Sequence, residues 1–217
     1  GPYSDYNVNY LEGTTLGNYF KSLHYADSAL GEFMAGLEAN GLLEDTIVVI
    51  YGDHDARLSR KEYEKLYNYN FDTKEFIDED DENYREYDSY QYELGRKVPF
   101  IIWSKDMENK GINREISNVM GMYDVMPTLG NMLGFNNKYS LGHDIFEIGE
   151  NNIVVFPNGN WVNNKMYYNS QKAAYLSLSD QPITEEEIAK NSEYANKLLD
   201  VSNNIIVFDL LNEDNNK

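Results

Sequence analysis

An α/β fold carrying a small antiparallel sheet and a terminal helix is what this sequence predicts, on three observations. Apolar side chains recur at three- and four-residue spacing from Leu16 to Leu37, the mark of an amphipathic helix. The run Thr46-Ile-Val-Val-Ile-Tyr51 follows without polar alternation, which is the pattern of a strand covered on both faces. A set of short strand-like pieces separated by Asn, Gly and Ser turns then occupies the region from Ile153 to Leu178.

Each element has a local cause. The first helix is expected over Thr15 to Ala39, with Leu16, Tyr19, Phe20, Leu23, Leu30, Phe33, Met34 and Leu37 on its apolar face. Gly13-Thr14-Thr15 offers a capping hydroxyl at its start, and Asn40-Gly41 a left-handed stop. The first strand stops at Gly52, and Asp53-His54 follow at once. From Ser59 to Glu93 the chain is polar, tyrosine-rich and acidic around Asp78-Glu79-Asp80-Asp81-Glu82, so a surface excursion with short helices, unable to fill a core by itself, is expected. Val98 to Trp103 forms a second apolar strand, whose proline is tolerated near the strand start or at an edge. A helix from Tyr123 to Leu133 ends at Gly134. Ile153 to Phe156, Trp161-Val162, Met166 to Tyr168 and Ala174 to Leu178 suggest the small antiparallel sheet. Thr184 and the three glutamates after it start a last helix, from Glu185 to about Leu211, with Asn203-Asn204 as a candidate break. No repeat and no linker composition is visible, so residues 1–217 are read as one unit.

Composition narrows the function classes. The 217 residues carry 18 basic and 37 acidic side chains, a net charge of −19, and no cysteine. Without a basic stripe the chain is a poor partner for nucleic acid or for an anionic membrane surface. No run approaches the ~18 apolar residues of a membrane-spanning helix, and no signal peptide is visible at the start. Disulfides and thiolate metal sites are excluded by composition.

Three histidines can be weighed one by one. In open α/β sheets ligands gather beyond the carboxyl ends of the strands, where Asp53 and His54 sit. A hard carboxylate oxygen beside a borderline imidazole nitrogen suits Mn²⁺, Mg²⁺ or Zn²⁺. The alternative is that the pair caps the next turn. His24 lies in the first helix near its apolar stripe and reads as a packed histidine with Asp27 as its partner. His143 lies in a glycine-containing turn with no further signal. The 78–82 acidic run lacks the spaced oxygens of a calcium loop and reads as solvated surface. Asn158-Gly-Asn-Trp161 and the tyrosines could form a sugar- or glycerol-contacting platform, or simply pack.

Beyond these residue-level readings, Asn40-Gly-Leu-Leu-Glu-Asp-Thr-Ile-Val-Val-Ile-Tyr-Gly-Asp-His54 resembles the metal-ligand strand of the sulfatase and alkaline-phosphatase superfamily. Tyr25-Ala-Asp27 with Leu30-Gly31 looks like the helix before that strand, Val98 to Trp103 like the next strand, and Tyr123-Asp-Val-Met-Pro-Thr-Leu129 with Leu133-Gly134 like the Asp-x-x-Pro-Thr-Leu helix. Gly142-His-Asp-Ile-Phe146, Val155 to Trp161 and the terminal helix are similar to late segments of the lipoteichoic acid synthase group of phosphoglycerol transferases.

The resemblance implies the carboxyl-terminal half of a three-layer, sulfatase-like extracellular catalytic domain, spanning residues 1–217. It implies a metal-dependent enzyme, with Mn²⁺ foremost and Mg²⁺ or Zn²⁺ as alternatives, that moves glycerol phosphate from phosphatidylglycerol to a growing polyglycerolphosphate chain on the outer face of a bacterial membrane. Asp53 and His54 match metal ligands. The nucleophilic threonine, a further acidic ligand and a phosphate-holding histidine are expected upstream, as are the helices that anchor the whole protein in the membrane. This chain by itself is therefore expected to be inactive. A sulfatase or phosphodiesterase on the same fold, or a non-catalytic binding module, are the other readings. After Asp-His the family often has a glycine-containing segment, whereas here Asp55-Ala56-Arg57-Leu58-Ser59 follows. Arg57 is a candidate phosphate-binding residue, or else a surface arginine paired with the acidic excursion.

Overall fold

In the computed structural model, which describes residues 6–8, 11–70 and 72–212, helix α1 occupies Thr15–Ala39, the bounds that its periodicity and caps predict. The Thr14 hydroxyl accepts the Gly17 N–H at 3.0 Å, supplying one of the partners a helix start lacks. Gly41, at φ +66°, turns the chain left-handed after the helix and lets the Leu42 N–H reach the Leu37 carbonyl at 2.9 Å. Only the first turns of α1 are well covered. Leu16 is buried, but Leu23, Leu30 and Phe33 keep 44%, 37% and 56% of their surface exposed.

Residues 1–114 and 115–217 cluster as two compact units. The boundary falls in an irregular stretch without glycine, proline or serine enrichment, which is why the sequence reads as one unit there.

The first unit holds β1 (Ile47–Tyr51), α2 (Arg60–Tyr67), a hairpin of β2 (Tyr69–Asn70) and β3 (Glu75–Phe76), α3 (Ser89–Gly95), β4 (Phe100–Ser104) and α4 (Lys105–Asn109). Strands β1 and β4 pair antiparallel, with Tyr51 opposite Phe100 and Ile47 opposite Ser104. The expected full coverage of β1 is not met within this chain: Ile47, Tyr51 and Ile101 are about half exposed, because β1 and β4 form a two-stranded sheet by themselves. Their apolar character exceeds what these residues bury.

The acidic excursion does more than the composition predicts. Tyr63 of α2 and Tyr87 ahead of α3 stack at 5.6 Å and join Val8, Leu11, Leu16 and Leu58 in the core of this unit. A tyrosine ring buries a large apolar area, and at Tyr87 the hydroxyl is buried with it, so a segment poor in aliphatic residues can still build half a core. Residues 78–82 remain exposed, as a solvated loop would.

The second unit begins with a 3₁₀ turn at Met122–Asp124 that leads into α5 (Val125–Leu133), and Gly134 at φ +75° ends that helix. A short helix α6 (Ile145–Ile148) precedes the four predicted strands, β5 (Ile153–Val155), β6 (Trp161–Asn163), β7 (Met166–Asn169) and β8 (Ala174–Ser177), which form an antiparallel meander in that order. Helix α7 (Glu185–Val207) packs Ala195, Leu198 and Leu199 on Ile153, Val155, Trp161 and Met166. It runs straight through Asn203-Asn204, since an interior asparagine costs a helix only a few tenths of a kcal/mol and is no obligatory stop. Trp161 is wholly buried and donates its indole N–H to the Ser192 hydroxyl at 3.2 Å, so it is core and not a sugar platform.

Tyr123 staples α5 to the sheet. Its hydroxyl accepts the Val155 N–H at 2.8 Å and donates to the Ile153 carbonyl at 3.3 Å, and burial pushes its ionisation up. Tyr123→Phe strips a partner from two backbone groups of β5, and chemical denaturation should show a loss of roughly 1–3 kcal/mol.

Candidate metal centre

The geometry of the Asp53-His54 loop begins at the end of β1. The Gly52 N–H donates to the Pro99 carbonyl at 3.2 Å, closing the β1–β4 ladder one residue beyond Tyr51. A side chain at position 52 would place its Cβ 2.7 Å from the Val98 Cβ, so glycine is needed for the strand to approach Val98 before the loop departs. Gly52→Ala should cost about 1–3 kcal/mol in a denaturation experiment, the usual range for inserting a methyl where no space exists.

Beyond Gly52, the two candidate ligands come together. His54 Nε2 lies 3.6 Å from Asp53 Oδ1, and both side chains reach solvent, the carboxylate 85% and the imidazole 49% exposed. On the other edge of the ring, Nδ1 is 2.6 Å from the Asp55 backbone carbonyl. A carbonyl oxygen can only accept, so Nδ1 carries a proton, and Nε2 faces the side of Asp53. This is the arrangement in which a histidine ligates through one nitrogen while its other N–H is held by an acceptor. The donor set fits a divalent cation in part: one carboxylate oxygen and one imidazole nitrogen, adjacent and accessible. Among the described residues no cluster of three His, Cys, Asp or Glu side chains is present, so the pair supplies part of a coordination shell.

The loop after the pair is held by Asp55, whose side chain is only 10% exposed. Its Oδ2 accepts the Arg57 N–H at 3.2 Å, and its Oδ1 accepts from Arg96 at 3.1 Å. The Arg96 guanidinium holds the Asp55 carboxyl below its ordinary pKa, against the opposing effect of burial. Arg57 itself takes a left-handed backbone conformation, φ +52°, is exposed, and makes no ion pair among the described residues. The expected pairing of Arg57 with the acidic excursion is thus absent there, and the arginine that engages a carboxylate in this loop is Arg96. Sequence reading missed it. The signal lay in the strand pairing: continuing the β1–β4 register past Tyr51 and Phe100 sets residue 55 opposite residue 96.

The other histidines stand elsewhere. His24 is not packed on an apolar face with Asp27; it is exposed and stacks on the Tyr6 ring at 4.0 Å, because that stretch of α1 lies in solvent. His143 is half-buried in the second unit, where its backbone N–H donates to Asp124 Oδ1 at 2.8 Å.

Comparison with known proteins adds a second line of evidence. The sulfatase family model matches residues 3–135, a stretch that contains Asp53, His54 and α5. Lipoteichoic acid synthase 2 of Bacillus subtilis strain 168 is 27% identical over 216 residues, covering 96% of this chain and 30% of that protein. Lipoteichoic acid synthase of Staphylococcus aureus strain USA300 is 28% identical over 200 residues, covering 90% and 28%. The crystal structure of the lipoteichoic acid synthase LtaP from Listeria monocytogenes superposes with a TM-score of 0.63 at 28% identity, over 90% of this chain and 47% of that one. The chain therefore spans about three-tenths of the length of the curated relatives it matches.

Proposed function

The chain belongs to the sulfatase family, and from that premise we propose that it forms the carboxyl-terminal part of the catalytic domain of a metal-dependent phosphoglycerol transferase of the lipoteichoic acid synthase type. The observation that carries the reading is the convergence of Asp53 Oδ1 and His54 Nε2 beyond β1, inside the matched region. The similarity of nearly the whole chain to proteins named lipoteichoic acid synthase supports the substrate class assigned in this reading, phosphatidylglycerol as donor and polyglycerolphosphate as product. In this reading the work is done at the outer face of a bacterial membrane. Among the described residues no helix is long and apolar enough to cross one, and the anchor is assigned in this reading to other parts of the protein.

Asp53 and His54 would hold the divalent cation, Mn²⁺ in the first place and Mg²⁺ or Zn²⁺ as alternatives. When bound, such an ion supplies positive charge to a phosphoryl oxygen and to an attacking oxygen. That charge matters in a chain of net −19, whose own field repels a polyanionic product. His54 contributes a neutral nitrogen, oriented by the Asp55 carbonyl, and Asp53 a carboxylate that needs little desolvation to bind. The nucleophile and the remaining ligands are assigned to the part of the domain outside these residues. The exposed apolar side chains of α1, β1 and β4 support this, since they offer a face for further elements of the same domain to cover.

The deciding experiment is an assay of the full-length protein with labelled phosphatidylglycerol. Release of labelled diacylglycerol and growth of a glycerol phosphate polymer, only with Mn²⁺ or Mg²⁺ present, is the expected result. Cleavage of a sulfate ester, or of a simple phosphodiester without transfer, would replace the transferase by a hydrolase on the same fold.

A further inference from the structure

We propose that Arg96, a residue remote in sequence from the candidate ligands, is a positioning residue that sets the orientation of His54 through Asp55. The proposal rests on the reading of Asp53 and His54 as metal ligands.

Five contacts carry it. Arg96 caps the carboxyl end of α3 and donates to Asp55 Oδ1 at 3.1 Å. The other oxygen of that carboxylate accepts the Arg57 N–H at 3.2 Å, closing a tight loop around residues 55–57. The Asp55 backbone carbonyl, fixed by the same side chain's anchorage, accepts the His54 Nδ1 proton at 2.6 Å. Arg96 is itself steadied, lying 5.8 Å over the Tyr92 ring, while the Tyr92 hydroxyl donates to the Leu58 carbonyl at 3.0 Å. Helix α3 thus grips both ends of the loop that follows the ligand pair.

The physical consequence concerns a peptide plane. A backbone carbonyl selects the Nδ1–H form of a neighbouring imidazole only if its direction is fixed; Ala56 packs on the core of the first unit, but Arg57 is left-handed and exposed, so at the Asp55 peptide itself the side-chain anchor is the Asp55 carboxylate. With the Asp55 carboxylate released from Arg96, that carbonyl gains freedom, and both the tautomer and the ring angle of His54 lose their reference. Residues that support a ligand in this manner typically change metal affinity by about 10–100-fold when removed. The carboxylate of Asp55 is engaged by Arg96 and Arg57 and joins Asp53 and His54 in no three-residue ligand group among the described residues, so its proposed part is to position His54.

The test is a Mn²⁺ titration of the full-length protein by electron paramagnetic resonance, which yields the dissociation constant and the number of sites separately. Arg96→Leu should raise the dissociation constant about tenfold with the number of sites unchanged, and Arg96→Lys, which restores a cation but not the fork, should recover part of the loss. An unchanged dissociation constant overturns the proposal. So does a lowered number of sites at unchanged affinity, because that is the signature of a merely structural role. His54→Ala, measured alongside, separates the two levels: if it leaves Mn²⁺ binding intact, the ligand assignment itself fails. If it abolishes binding while Arg96→Leu binds as the parent does, the ligand assignment stands and the positioning role of Arg96 falls.

Discussion

Alanine at Asp53 or at His54 in the full-length protein is expected to abolish the proposed phosphoglycerol transfer while leaving the fold intact. The expected loss exceeds the ~10–100-fold that follows from removing a residue that merely supports a ligand, because each substitution deletes a proposed ligand outright. Stability should barely respond. Both side chains stand in solvent at the tip of the β1–β4 ladder, and exposed positions of this kind usually change stability by less than about 0.5 kcal/mol. That contrast makes the prediction sharp: an inactive variant with a parental melting temperature. The measurement pairs a transfer assay with thermal denaturation, and activity retained in both variants would remove the metal-centre assignment and the transferase reading with it.

How far this site could be read from the sequence depends on the range of the interaction concerned. The bounds of α1, the strand before Gly52 and the four strands of the second unit are legible because their causes are local: the Thr14 cap, the Gly41 turn, a β-branched run, and Asn and Gly turns at short intervals. The adjacency of Asp53 and His54 is legible for the same reason. What the sequence hides is pairing across distance. Arg96 reaches Asp55 only because β1 and β4 run antiparallel, and nothing local to either strand dictates that direction. The composition of residues 59–93 reads as a surface excursion unable to fill a core by itself, and Tyr63 and Tyr87 do fill one, jointly with Val8, Leu11 and Leu16 from a distant part of the chain. For β1 the error runs in the opposite direction. Its composition fits a strand covered on both faces, and the chain leaves Ile47 and Tyr51 about half exposed. A run so apolar on a two-stranded sheet is consistent with a place inside a larger sheet, as the proposed role within a longer catalytic domain requires.

The second large effect is on stability, and it falls on a residue whose motif was read only as a mark of resemblance. Asp124 is fully buried at the head of α5. One of its carboxylate oxygens accepts the Gly121 N–H and the Asn152 side-chain amide, each at 2.8 Å, and the other accepts the His143 N–H at 2.8 Å. Its backbone carbonyl accepts the Thr128 hydroxyl at 2.7 Å, and that hydroxyl in turn accepts the Ile145 N–H at 3.1 Å. The Asp and Thr of the Asp-x-x-Pro-Thr-Leu motif thus tie α5 to the 3₁₀ turn before it, to the 142–145 turn and to the residue preceding β5. Asp124→Ala leaves two backbone donors without a partner and removes one from Asn152, in a place that water does not reach. At roughly 1–3 kcal/mol for each unsatisfied group, with the sum reduced by relaxation, the expected loss is about 4 kcal/mol. Native domains hold only about 5–15 kcal/mol in total, so the variant should melt much earlier or accumulate unfolded. Asp124→Asn keeps the shape and one acceptor but turns an amide N–H₂ against a donor, and should fall between the two. Urea denaturation followed by tryptophan fluorescence measures both. A loss below about 1 kcal/mol in Asp124→Ala would show that the three donors find other partners, and that the motif's aspartate is kept for something other than this junction.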